Sequence, residues 1–251
     1  MQQKKVSPLY RIVKWGLRVC YGNVKVFGAE HLPETPCIIV GNHSQLNGPI
    51  SCELFFPIPR YTWCAGDMLH LKDVPAYAFR DFWSFKPKRS RWYYKLMSYV
   101  IAPLCSFVCQ NANTIGVYRD ARGASTFKQT IRVMEDGYSV VIFPEHNVKH
   151  NHILYDFEDK FIDVAKLYHK RTGKVPAFVP MYLAPNRREL HLAAPIAFDP
   201  TAPIEEERQR IKTYLMDTIT ATACALPRHK IVPYRNIPRK EYPYNRPDEV
   251  K

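Results

Sequence analysis

Residues 37–49 read Cys37-Ile38-Ile39-Val40-Gly41-Asn42-His43-Ser44-Gln45-Leu46-Asn47-Gly48-Pro49. The first five are small or apolar and show no alternation of polar with apolar, which is the pattern of a strand covered on both faces. A polar loop follows, and Pro49 then opens a helical pattern. A strand, a polar loop and a helix in this order build an α/β sheet, in which ligands sit at the carboxyl ends of buried strands. His43 is therefore a candidate for chemistry, because an imidazole titrates near working pH and can take a proton from a hydroxyl. The other reading is a histidine that serves the loop structurally.

Strand-like runs recur at Val24–Phe27, Tyr61–Ala65, Thr114–Tyr118, Ser139–Phe143 and Ala177–Leu183. Helical patterns separate them at Pro49–Phe56, Val74–Phe82, Arg91–Gln110, Ser125–Glu135, Phe157–Lys170 and Ile204–Ala223. The alternation predicts a single α/β domain, with a mostly parallel mixed sheet and helices on both faces, over residues 23–226. Pro180 within the Ala177–Leu183 run predicts an edge strand or a strand end.

Two flanks differ from this domain. Residues 1–22 form an amphipathic helix entered through Ser7-Pro8, with Arg11, Lys14 and Arg18 on one face and Leu9, Ile12, Val13 and Leu17 among the rest. Before Glu30 the chain holds basic residues at positions 4, 5, 11, 14, 18 and 25 and no acid, which suits a helix lying among anionic headgroups. Packing on the core with a solvated basic face is the alternative. Residues 227–251 hold five prolines and seven basic residues against three acids, and read as a basic, Pro-rich, extended tail outside the core.

With 46% hydrophobic and 13% aromatic residues the chain is too apolar for disorder, and its formal charge of +13 favours anionic partners. No nucleic-acid motif is present, so an anionic membrane surface or a phosphorylated small molecule is expected instead. The apolar run Met97–Cys109 is short and interrupted by Pro103, so a surface-bound or monotopic protein is expected rather than a spanning one. Seven scattered cysteines without metal spacing predict reduced thiols on the cytoplasmic side, and no metal site.

Three further strand ends carry chemistry. Thr114-Ile115-Gly116-Val117-Tyr118-Arg119-Asp120 ends in a guanidinium suited to a phosphate, or to an ion pair with Asp120. Val140-Val141-Ile142-Phe143-Pro144-Glu145-His146 ends in a carboxylate beside an imidazole, and Val179-Pro180 lies on the last long run.

In order and spacing these blocks resemble the lysophosphatidic acid and glycerol-phosphate acyltransferase family over roughly Val24 to Pro200. Gly41-Asn42-His43 looks like the start of its His–Asp loop, Ile115–Arg119 is similar to its phosphate-binding block, and Glu135–Glu145 resembles its Phe-Pro-Glu-Gly block. Gly48 stands where the family has Asp, and His146 where it has Gly. The resemblance implies acyl transfer from acyl-CoA or acyl-carrier protein, used as a substrate and without a cofactor, to a glycerol-phosphate or lysophospholipid hydroxyl. It implies His43, Asn47 and Glu145 as the catalytic set. Asn42, Arg119, Arg122, Phe143, Pro144 and His146 would bind substrate, with Glu53 or Glu145 as sources of a replacement carboxylate. A catalytically inactive lipid-binding member of the same fold is the alternative.

Overall fold

The structure, a computed structural model, describes residues 7–83, 86–118, 120–151 and 153–246, the side chains of 147–151 excepted. In chain order its main elements are α1 (Pro8–Tyr21), β1 (Lys25–Phe27), β2 (Ile38–Gly41), α2 (Asn47–Phe55), β3 (Arg60–Ala65), α3 (Val74–Trp83), α4 (Arg91–Asn111) and β4 (Thr114–Val117). These are followed by α5 (Gly123–Glu135), β5 (Ser139–Ile142), β6 (Glu145–Asn151), β7 (Leu154–Phe157), α6 (Asp163–Thr172), β8 (Ala177–Ala184), β9 (Glu189–Leu192), β10 (Ile196–Ala197) and α7 (Ile204–Ala225). The fold is α/β with a mostly parallel mixed sheet, as the alternation predicts. The chain sorts into two compact units.

The larger unit, Asn23–Arg60 with Thr130–Lys251, carries strands in the order β1-β9-β8-β2-β5, with β10 also against β8. β2 runs parallel to β5 and β8, and β1 parallel to β9, while β8 meets β9 and β10 antiparallel. Ile38, Ile39, Val40, Val140 and Val141 are fully buried, which accounts for their unbroken apolar runs. Burial of each such side chain is worth about 1.5–3 kcal/mol. α7 packs on β8 and β7 through Ile211, Leu215, Ile219 and Ala223.

Two expectations are corrected in this unit. β8 is not an edge strand: it lies between β9 and β2. Pro180 falls between the residues registered with β10 (Ala177, Phe178) and those registered with β9 (Met181–Ala184), where its carbonyl accepts the Ala193 N–H (3.0 Å) and the ladder asks for no N–H in return. The second correction concerns the tail, which is not an arm outside the core. His229, Ile231, Val232 and Asn245 are buried. Asn245 Nδ2 donates to the carbonyls of Ala223 (2.8 Å) and Leu226 (3.1 Å), and its Oδ1 accepts the N–H of His229 (2.8 Å). Proline composition signals extended backbone, but a few well-placed apolar and amide side chains bind that backbone to α7.

The smaller unit, Met1–Gly22 with Tyr61–Gln129, holds β3 parallel to β4 and a helical layer in which α3 packs on α4 through Val74, Ala78 and Ala102. α4 continues through Pro103. α1 joins α4 by the buried Tyr10, whose ring meets Phe107 edge-on with centroids 6.4 Å apart. The remaining apolar residues of α1 do not all turn inward: Leu9, Ile12, Trp15 and Val19 are exposed. Trp92, Leu96, Tyr99, Val100 and Leu104 likewise stand out from α4. No described helix is long and apolar enough to cross a membrane.

Candidate active site

The loop after β2 is held at every turn. Gly41 ends the strand where a Cβ would come within 2.9 Å of the Met181 carbonyl oxygen. Asn42 is buried and expends its amide on structure, since Nδ2 donates to Ser44 Oγ (2.7 Å) and to the Leu183 carbonyl (3.0 Å) while Oδ1 accepts the Leu183 N–H (2.7 Å). Expected among the substrate contacts, Asn42 instead clips the loop to β8, because both amide protons and the carbonyl are already bonded.

Ser44 and Gln45 then adopt consecutive left-handed conformations, at φ 48° and 57°. Such backbone is uncommon for residues other than glycine, and it clusters at functional sites. Here it turns the Gln45 carbonyl back onto its neighbour, where it bonds the Nδ1 of His43. A carbonyl can only accept, so Nδ1 carries the hydrogen and the lone pair lies on Nε2. Asn47 fixes the same turn, its Nδ2 and N–H both reaching the Ser44 carbonyl, at 2.9 and 3.1 Å.

Gly48 completes the loop by donating its N–H to the His43 carbonyl (3.0 Å). A Cβ there would meet that carbonyl oxygen at 2.6 Å, Phe143 Cε1 at 2.8 Å and the Asn42 carbonyl oxygen at 3.1 Å. The position at which the acyltransferase pattern has Asp is thus too narrow for any side chain. Of the two candidate replacement carboxylates, Glu53 pairs with Arg60 (3.0 Å). Glu145 lies beneath the loop: Oε1 accepts the main-chain N–H of His43 (2.6 Å) and Oε2 that of Tyr155 (2.9 Å). Burial pushes its carboxyl up to about 7, against the opposing pull of the Tyr155 and His43 N–H groups.

Two rings frame the imidazole, Phe143 at 5.2 Å and Tyr234 at 5.1 Å between centroids, and Tyr155 meets Tyr234 at 6.1 Å. Pro144 is buried and its carbonyl accepts the Glu158 N–H (2.8 Å). His146 faces Asp156 at 3.5 Å, and Lys212 holds the same carboxylate at 2.8 Å. The main chain of Glu145–Asn151 pairs with β7 as a hairpin. The side chains of Lys149 and His150, and the whole of His152, lie outside the described residues, as does Arg119. Among the described residues no group of three or more His, Cys, Asp or Glu is placed to hold a metal.

Arg122 belongs to the smaller unit. Its Nε and Nη2 grip the Asp120 carboxylate at 2.7–3.1 Å, and its guanidinium lies 4.2 Å from the Tyr118 ring centroid. Asp120, offered in the sequence as a partner for Arg119, is thus engaged by Arg122. The structure therefore gathers His43, Asn42, Asn47, Phe143 and Glu145 around one loop. Sequence reasoning missed Gln45, Tyr155, Tyr234 and Tyr242. Only Tyr234 and Tyr242 left a signal, as aromatic residues in a Pro-rich tail.

Compared with known proteins, the chain matches no protein-family model and no curated protein. Among solved structures it is similar to the 1-acyl-sn-glycerophosphate (LPA) acyltransferase PlsC from Thermotoga maritima. The TM-score is 0.51 at 13% sequence identity, over 87% of this chain and 81% of that one. The two chains share a fold. At this identity the likeness is one of fold alone, and what the His43 loop does has to be argued from its own atoms.

Proposed function

We propose that this protein is an acyltransferase that moves a fatty acyl group from an activated thioester, acyl-CoA or acyl-carrier protein, to a hydroxyl of a glycerol-phosphate or lysophospholipid acceptor. The observation that carries the reading is the Gln45 carbonyl on Nδ1, which sets His43 in the tautomer with its lone pair on Nε2. His43 Nε2 takes the proton of the acceptor hydroxyl as its oxygen attacks the thioester carbonyl. The new C–O bond forms, the C–S bond breaks, and the departing thiolate takes the proton back from the imidazolium. No acyl-enzyme forms.

A carbonyl orients the imidazole as an aspartate does, yet carries only a partial charge to set against the imidazolium. Rates below those of a His–Asp site follow from this. Asn47 and Glu145 act as positioning residues, one on the Ser44 carbonyl and the other on the His43 main chain. Phe143 and Tyr234 supply apolar walls beside the ring, and Arg119 is proposed to hold the acceptor phosphate.

The exposed apolar stripes of α1 and α4, with Arg11 and Arg18 exposed beside the first, support attachment to an anionic membrane surface, which we propose is the cytoplasmic face. A second reading, a lipid-binding protein without turnover, is favoured by one observation: the crowding at Gly48 leaves no room for the usual carboxylate. Assay of the purified chain and its His43→Ala variant with acyl thioesters and lysolipid acceptors separates the two. Transfer is expected in the wild type and a loss of about 10²–10⁴-fold in the variant. Variant activity near wild type removes His43 from the mechanism, and vesicle binding with no wild-type turnover leaves the second reading.

A further inference from the structure

Residues 232–243 form a closed strap. Its ends meet where Ile231 donates its N–H to the Pro243 carbonyl (2.8 Å) and where Lys230 bridges Tyr244. Below these ends His229 is clamped: Nδ1 bonds the Pro227 carbonyl (2.8 Å), so that nitrogen donates, and Nε2 accepts the Tyr182 hydroxyl (2.8 Å). Burial holds this imidazole below its usual range, so it stays neutral and keeps the clamp closed at working pH. With Asn245 buried alongside, both feet of the strap are anchored in the β8–α7 core.

Between its feet the strap reaches the His43 loop at two points. The Tyr234 ring meets the imidazole. Tyr242 accepts, on its hydroxyl oxygen, a hydrogen bond from Gln45 Nε2 at 2.9 Å. Gln45 is the residue whose left-handed backbone presents the carbonyl to His43 Nδ1. A residue at φ 57° is held there only when its surroundings over-determine it, and a side-chain bond to an anchored strap does so.

We infer that Tyr242 is a positioning residue for His43, acting through Gln45: its hydroxyl pins the Gln45 side chain, which keeps the Gln45 carbonyl on the imidazole and so sets the tautomer that catalysis needs. The catalytic part of this inference rests on the acyl-transfer reading, whereas the tautomer part does not. The strap thereby supplies, from outside the loop, the constraint that a carboxylate supplies in a His–Asp pair.

The test uses the full chain with 15N-labelled histidine, Tyr242→Phe, Gln45→Asn and the double variant. Asn tolerates the left-handed region and is too short to reach the strap. In the wild type the His43 nitrogen resonances, assigned by their loss in His43→Ala, are expected to report hydrogen on Nδ1. Each single variant is expected to populate both tautomers with an unchanged melting temperature. Each is also expected to lower kcat by roughly 10–100-fold with little change in KM, as misplacement of a catalytic group does. The double variant is expected to lose no more than either single one, because both cut the same link. Unchanged His43 nitrogen shifts in both single variants, or losses that multiply in the double, overturn the inference. If the wild type transfers no acyl group, the proposed reaction fails while the nitrogen shifts still decide the role of the strap.

Discussion

The loop around His43 and the helical face of α1 and α4 treat their side chains in opposite ways. Around His43 the polar groups are tied down: Asn42 clips β8, Asn47 the Ser44 carbonyl, Glu145 two backbone N–H groups, and Gly48 leaves no space at all. On α1 and α4, indoles and aliphatic chains stand in solvent, with Trp15 68% and Trp92 72% exposed. The difference teaches that one region holds a single geometry while the other leaves apolar side chains uncovered, so damage to each should be read by a different measurement.

The largest effect expected from breaking the rigid side is on pH-dependent stability. Glu145 is raised in the fold from 4.5 to about 7. Its contribution is therefore complete below 4.5 and is lost as pH rises through 7, by up to about 3 kcal/mol. Urea unfolding across this range is expected to show wild type losing stability relative to Glu145→Gln, whose neutral side chain does not titrate, as pH rises. Parallel curves would show that the buried carboxyl does not titrate in the fold.

Next comes Gly48→Asp, which places an aspartate where the acyltransferase pattern has one. The Cβ meets the His43 carbonyl, so the substitution is expected to cost about 1–3 kcal/mol of stability and to lower turnover. A gain in kcat would show that the loop relaxes to accept a carboxylate. The smallest effect on the fold is expected at the other region: Trp15→Ser with Trp92→Ser should leave unfolding within about 0.5 kcal/mol of wild type. Sedimentation with anionic vesicles should nevertheless weaken roughly tenfold, in keeping with lost apolar burial. Unaltered vesicle binding would separate these helices from any membrane role.

Much of the fold was legible because burial on both faces writes itself into composition: Ile38–Val40, Val140–Ile142 and Phe178–Leu183 are apolar runs, and each is buried in a strand of the sheet. β9 was missed because Glu-Leu-His-Leu is four residues long with one face half-exposed, and β6 because Glu-His-Asn-Val-Lys-His-Asn has no apolar face. At the site, His43 and Glu145 could be read because their chemistry lies in their side chains. The partner of His43 could not, because a main-chain carbonyl has no letter of its own and only the two left-handed turns at Ser44 and Gln45 bring it into place. The tail was misread because proline announces an extended path and not what that path touches.

That the imidazole leans on a peptide carbonyl bears on how such a site ages under mutation. An aspartate can vanish with one codon change, and the reaction with it. The C=O at position 45 survives every replacement, and a change there alters only how firmly the turn is gripped. On the proposed reading, inherited damage at position 45 should accordingly arrive as a graded series of slower proteins rather than as a sudden silence.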